Sequence, residues 1–586
     1  MHPSTQSNAR FHAAGLFVIF LLVVFCVWPA MKSPLFSDDI QQLDKTSNYL
    51  KWTEIFNPDV FGFYRPVKNL LFMLLSPISG NLLAWHMVGL AAYLAAAAGI
   101  YRITSICLDS RRAAWLAACL WALSPSCVST AVWLSCANIS IGLVFTSLVF
   151  HFHERWVVRG STAVIVACGF FYGMSLMCYE ALIAAPALLF LRDLQLRRIA
   201  FDRKTVARYA LYTVVALAFL LVRHHFSARA IGDAAHRIGF TPDTTGLHLS
   251  LSAPWFLWRH FVMWVFPFGQ LEILGNYGWM RSASLAAIIM SWVFLAALVA
   301  TAALTWKRFP AIGYGIAFFI VASVPSGNFI PCFNGPVMDA YVTIPSIGLA
   351  IAFASLCDAL YQQYLQRRNG LKSGALAFAA VLAFLLVYRL PLGAAYFRYW
   401  AGVWNNPAEL MLLTSEVRPF LYQPRAFASA LLFSGGYVDH AEAIAKQALK
   451  DDPENNTARL TLARVAALGK DNARAEQYYA AVIGSPGVSK FNKEPALLEL
   501  AQMLSVKPDR HNDAILLFRE FLKGSRNSHQ AGAIAILSEL YRKQGNATKA
   551  RVTVERGLSM YPDADELKKQ LASLDAAVTE SRPHEN

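Results

Sequence analysis

Runs of about 20 mostly apolar residues leave a chain few folds, because each is long enough to cross a bilayer as a helix. This sequence has such runs near 11–30, 82–106, 113–130, 132–150, 161–177, 178–193, 206–222, 282–305, 310–326, 337–358 and 373–390. They predict about eleven transmembrane helices. With 56% hydrophobic and 15% charged residues, most of the chain is excluded from being an ordinary soluble globule. The pattern then breaks. The apolar runs stop near Arg389, every Trp lies at or before Trp404, every Cys at or before Cys357, and from about Pro424 the sequence is polar and charged. The expected class is all-α: a polytopic membrane helical bundle over 1–395, a linker over 396–423, and a soluble α-solenoid over 424–580.

The net charge of +15 does not point to nucleic acid, because the basic residues sit in short connections between apolar runs. With the N-terminus in the cytoplasm, the inward connections carry Arg102, Arg111 and Arg112; Arg155 and Arg159; Arg192, Arg197, Arg198, Arg203, Lys204 and Arg208; Lys307 and Arg308; and Arg367, Arg368 and Lys372. Each is basic, as the positive-inside rule requires. The first run is longer than a signal-peptide core and lacks an A-x-A site, so it reads as a retained anchor. This orientation puts loops 31–81, 223–281 and 326–336, and everything after about 391, outside the cytoplasm. PWFLWRHFVMWVFPF in the second loop reads as an interfacial or re-entrant helix. No CxxC spacing occurs. Cys127, Cys136 and Cys332 would face the oxidising side, where one disulfide could form.

The tail repeats. AEAIAKQAL (441–449), AEQYYAAVI (475–483), DAILLFREFL (513–522) and KARVTVERGL (549–558) each follow one turn and precede another. Gly435 and Gly469 are 34 residues apart, as are Ala441 and Ala475, which is the tetratricopeptide period. Ala441, Ala475, Ala514 and Ala550 are the small residues expected between paired helices, and Pro453 and Pro562 close repeats. About four helix pairs are predicted, with a concave face suited to an extended peptide or partner protein.

Together these pieces resemble the transmembrane and tetratricopeptide-repeat glycosyltransferases of the GT-C fold. The likeness is carried, in order, by FSDDI (36–40), FYRPVKNLLF (63–72), AWHMVGLAAYLAAAAGIY (84–101), LAACLWALSPSCVSTAVWLS (116–135), MCYEALIAAP (177–186), DAYVTIPSIGLA (339–350) and YFRYWAGVWNNPAELMLLTSEVRP (396–419). The resemblance implies an inverting glycosyltransferase that uses a polyprenyl-phosphate-linked monosaccharide. It also implies that the first acid of the pair, Asp38, is the base. The family often has Arg after the acid of the DAY-like segment; here Ala340 stands there, so another cation would have to meet the donor phosphate.

The chemistry is consistent with that placement. Asp38 and Asp39 follow the first span directly, at the plane where a lipid phosphate lies, and a carboxylate there can take the proton of an attacking hydroxyl. Adjacent residues diverge by about 100° on a helix, so Asp38 is expected as base and Asp39 as the group that holds the acceptor or fixes the loop. The pair also suits the first turn of a helix starting at Ile40. Donors for the leaving phosphate are expected from Arg65, Lys68, His224, Arg259 and His260, with Arg223 and His225 nearby; any of them could instead anchor to headgroups. Glu180, an acid in an apolar stretch, and Asp339, at a helix start, are expected to support the acceptor or the structure. No DxD spacing occurs before residue 395, and no metal or other cofactor is expected. The acceptor would be Ser or Thr of an exported protein bound by the repeats, with membrane lipids as surroundings and no nucleic acid. The expected location is a bacterial inner membrane with the repeats in the periplasm. The alternatives are a transferase acting on glycolipid or polysaccharide, or a transporter or flippase of lipid-linked sugars.

Overall fold

The computed structural model describes residues 3–36, 38–60, 62–199, 202–226, 246–268, 285–327, 329, 338–366, 379–417, 422–524 and 529–580. Among these residues the chain is helical, with no strand. It divides into two compact units, Met1–Leu410 and Met411–Asn586. The division falls inside the stretch expected as a linker, which itself contains the helix Pro407–Val417.

The expected eleven spans are corrected in the first unit. Among the described residues six helices are long and apolar enough to cross a membrane: Ala13–Lys32, Leu82–Cys107, Leu134–Val158, Arg203–Phe226, Leu285–Arg308 and Ala379–Val403. A seventh is gained if Arg111–Ala122 and Pro125–Val132, bent by 61°, count as one span. The excess arose because an apolar run need not be one helix. Pro125 starts a turn of 3-10 helix and forces the residue before it out of the α region, which breaks the run 113–130. The runs 161–177 and 178–193 become Thr162–Cys178 and Ala185–Gln195, separated by a 3-10 turn at Glu180–Ala184. Pro310–Ser323 is only 14 residues long.

Of these short apolar helices Pro310–Ser323 is the most buried. Pro310–Ser323 packs against Pro345–Gln366 at a crossing so close that a Cβ on Gly348 would stand 2.5 Å from Gly315 O and from Phe319 N. Only glycine permits that approach. The loop 31–81 folds into a small helical cap: Asp38–Ser47, a 3-10 turn at Trp52–Phe56, and Pro66–Leu75. Of the loop 223–281, residues 227–245 and 269–281 lie outside the described residues, as do Arg367, Arg368, Lys372 and Cys332. The expected interfacial segment is a helix, Gly246–Val265, packed on Leu285–Arg308 and on the 3-10 turn Asp339–Val342. Cys127 and Cys136 are both buried and unbridged.

The second unit stacks helices in series, from Tyr422–Ser434 through Val438–Asp451, Asn456–Leu468, Asn472–Ile483, Lys490–Ser505, His511–Phe521, Gln530–Lys543 and Ala547–Met560 to Asp565–Glu580. Each packs on the next, and alternate helices touch as well, which is the arrangement of a helical-repeat solenoid. Ala441, Ala475, Ala514 and Ala550 are fully buried between helices, because nothing larger fits where a pair closes.

Candidate active site

The acid pair opens the cap helix Asp38–Ser47. Asp38, its first residue, is partly exposed. Asp39 is buried and pinned: its Oδ1 accepts from the Ser135 amide at 2.7 Å and the Ser135 hydroxyl at 2.6 Å, and its Oδ2 from the Phe36 amide at 3.3 Å. Burial pushes the Asp39 carboxyl up to about 7, with the Asp38 charge adding to the rise while the Ser135 and Phe36 donors oppose it. The loop is clamped from below by aromatic rings, with Phe36 centred 5.6 Å from Trp404 and 6.1 Å from Trp133.

The cap holds itself together with buried polar contacts. Gln42 donates to Asn69 at 2.8 Å, and Asn69 donates to the carbonyls of Ile55 and Asn57, each at 2.8 Å. This ties the acid helix to Pro66–Leu75, the helix that carries Lys68 and is preceded by Arg65. Lys68 is buried and paired with Asp59 at 3.6 Å. Asp59 in turn accepts from the Phe63 amide at 2.9 Å. Lys68 therefore braces the cap, and its charge is already balanced.

Arg65 and Glu180 meet in a bidentate pair, with Nε and Nη2 each 2.9 Å from a carboxylate oxygen. The guanidinium also lies over Phe63 at 4.3 Å and Tyr179 at 5.1 Å. The charge of Arg223 bears on Glu180 too. The structure thus brings together two groups given different tasks by sequence. Arg65, expected at the donor phosphate, has its planar fork occupied by a carboxylate.

Asp339 is buried, and its Oδ2 accepts from the Ser129 hydroxyl at 2.6 Å. Close by, Thr130 and Thr343 hydroxyls stand 2.6 Å apart, Trp121 donates to Thr343 O at 2.8 Å, and Ser346 Oγ lies 3.9 Å from Cys127 Sγ. Ala340 is buried beside this set. A polar seam therefore runs through the first unit. At one end Cys136 lies within electrostatic reach of Asp38, Asp39, Lys68 and Asp339. Farther along, Cys127 lies within reach of both Asp339 and Arg389. Arg389, buried in the last apolar run, was missed as a site residue; a single cation inside an apolar run was the signal.

The remaining expected cations separate. His224 and His225 are exposed at the end of Arg203–Phe226 and are not drawn into the seam. Arg259 is half-buried over the Trp255 ring at 5.7 Å. His260 is fully buried, one residue on, with neither ring nitrogen hydrogen-bonded among the described residues. Among those residues no three His, Cys, Asp or Glu side chains are grouped to hold a metal ion.

No protein-family model and no curated protein sequence matches the chain. Among solved structures it is similar to yeast Tom70, with 14% identity over 81% of this chain and 93% of that one and a TM-score of 0.27. It is also similar to the TPR domain of P58(IPK), with 9% identity over 75% of this chain and 99% of that one and a TM-score of 0.22. Likenesses of this size assign neither activity nor partner.

Proposed function

We propose that the chain is an integral-membrane inverting glycosyltransferase. In this reading it moves one sugar from a polyprenyl-phosphate donor to a hydroxyl, on Ser or Thr of an exported protein, at the non-cytoplasmic face of a bacterial inner membrane. The observation that carries the reading is the asymmetry of the acid pair. Asp39 is locked by Ser135 and Phe36, while its neighbour Asp38 is partly exposed on the same helical turn. A rigidly presented carboxylate beside a membrane-spanning segment is what proton removal from an acceptor hydroxyl requires. A seam of hydroxyls leading to a buried cation supports the other half of the chemistry, a place for the departing phosphate. The repeat unit supports a protein acceptor, because a solenoid holding a peptide raises its local concentration near a tethered site.

The test is mass spectrometry of exported proteins from cells carrying wild-type, Asp38→Asn or Asp39→Asn chain at matched abundance. Loss of a hexose- or pentose-sized adduct from Ser or Thr peptides in Asp38→Asn is the expected result. Unchanged peptide masses in both variants would remove the protein acceptor. Unchanged glycolipids in the same cells would remove the transferase.

A further inference from the structure

Arg389 has an unusual environment for a cation. It is 2% exposed, and among the described residues only one of its three guanidinium nitrogens has a hydrogen-bond partner: Nη2, which donates to Ser124 Oγ at 2.9 Å. Its Cζ lies 4.6 Å from the centre of the Trp264 ring. The titratable side chains within electrostatic reach of it among the described residues are Cys127 and Tyr388, neither of them a carboxylate. Elsewhere in this unit Arg65 is answered by Glu180, Arg208 by Asp193, and Arg192 bonds the Gln195 side-chain oxygen and the Ile106 carbonyl with two of its nitrogens.

One further donor stands unanswered against the same guanidinium: Trp264 Nε1 has no hydrogen-bond partner among the described residues. The site lies where Leu123 and Ser124 interrupt the bent pair, and broken helices within membrane bundles are tolerated where they are buried in protein or line a cavity. A buried cation without a counter-charge is strongly unfavourable. A buried guanidinium with two nitrogens to spare, beside an indole N–H, has the donor set of an oxyanion receptor.

We propose that Arg389, Ser124 and Trp264 form a buried receptor for a phosphate group, carried by a prenyl-type lipid or entering as the free ion. Arg389 supplies the planar fork, Ser124 holds one arm of it in place, and Trp264 offers an N–H. The receptor names the cationic end of the site proposed above and rests on that reading only for the sugar-bearing form of the ligand.

The experiment uses the full chain in nanodiscs, with thermal unfolding and equilibrium binding as readouts. Three probes are compared: farnesyl phosphate, farnesol and inorganic phosphate. The expected result is a rise in melting temperature with farnesyl phosphate and none with farnesol. An equal rise with inorganic phosphate at the same concentration would assign the receptor to the free ion. No response to either phosphate overturns the proposal.

Arg389→Met is expected to weaken phosphate binding at least tenfold while its ligand-free melting temperature stays level or rises, because an unmatched buried charge has been removed. A lowered melting temperature with undiminished phosphate response would show a structural arginine only and overturn it. Should Arg389→Met not fold, Arg389→Lys keeps the charge, loses the fork, and is expected to weaken binding several-fold; unchanged binding in it sinks the receptor. Asp38→Asn separates the two readings. If the wild-type chain binds farnesyl phosphate, Asp38→Asn binds it equally and neither transfers sugar, the receptor stands and the transferase falls. If the wild-type chain transfers sugar and Arg389→Met does so with unchanged KM and kcat, the receptor falls and the transferase stands.

Discussion

Glu180 and Arg65 form the only bidentate carboxylate–guanidinium pair among the described side chains of the cap. Removing one partner strands the other in a buried site, which costs about 3–5 kcal/mol. Glu180→Gln is therefore expected to lower the melting temperature sharply, and Glu180→Gln with Arg65→Met to recover most of the loss; a thermal melt of the three variants checks this. Asp39 has the opposite character, an acid more readily protonated in the fold than in the unfolded chain. Its carboxyl rises from an ordinary 3.8 to about 7, so the folded state holds the proton more tightly. The stability this adds is full below about pH 4 and is lost as pH climbs to about 7. The melting temperature of wild type relative to Asp39→Asn should accordingly fall between pH 5 and pH 8. A flat difference would show that Asp39 is ionised throughout. At this scale the sequence was partly legible. Asp38, Asp39, Glu180 and Asp339 stood out because acids beside apolar runs are costly. What could not be read was pairing across sequence distance: that Glu180 would take Arg65, 115 positions away, or that Ser135 would hold Asp39.

Elements were legible where one rule set them and illegible where two competed. The repeat helices followed from period and from small residues, and the buried Ala475 is at such a position. Ala475→Leu adds volume where none is free and is expected to cost about 1–3 kcal/mol, seen as an earlier unfolding transition of the C-terminal unit. In the first unit hydropathy overcounted spans. It registers apolar character but not the breaks imposed by Pro125 or by the 3-10 turn at Glu180–Ala184. The Gly315–Gly348 crossing is a feature that hydropathy cannot express. Gly348→Ala would push a methyl to 2.5 Å from the Gly315 carbonyl oxygen, and backbone cannot yield as a side-chain tip does. The folded, detergent-stable yield of Gly348→Ala should drop severalfold against wild type on size-exclusion chromatography, and an unchanged profile would mean that the two helices separate freely.

The molecule as a whole divides at Leu410, and the C-terminal unit has its own buried clusters, one of them centred on Ala475, Tyr479, Leu500, Phe518 and Leu537. Residues 411–586 expressed alone are expected to be helical by circular dichroism and to melt cooperatively. A broad, non-cooperative melt would show that the repeats depend on the N-terminal unit. The change in composition near Arg389 to Pro424 made this division visible in sequence, whereas the polar seam was invisible there because its members are scattered from Asp38 to Arg389.

That seam also constrains how the protein is made. Ser124, Ser129, Thr130, Asp339 and Arg389 are buried, yet each enters on a segment that would meet lipid tails if it left the insertion machinery alone, where unmatched polar groups are strongly disfavoured. Several of the helices around them, such as Pro310–Ser323, fall short of a full crossing by themselves. In a bilayer, release of these segments one by one would leave the early polar groups unmatched until residue 389 had emerged, because partners such as Ser124 and Arg389 lie more than 200 positions apart.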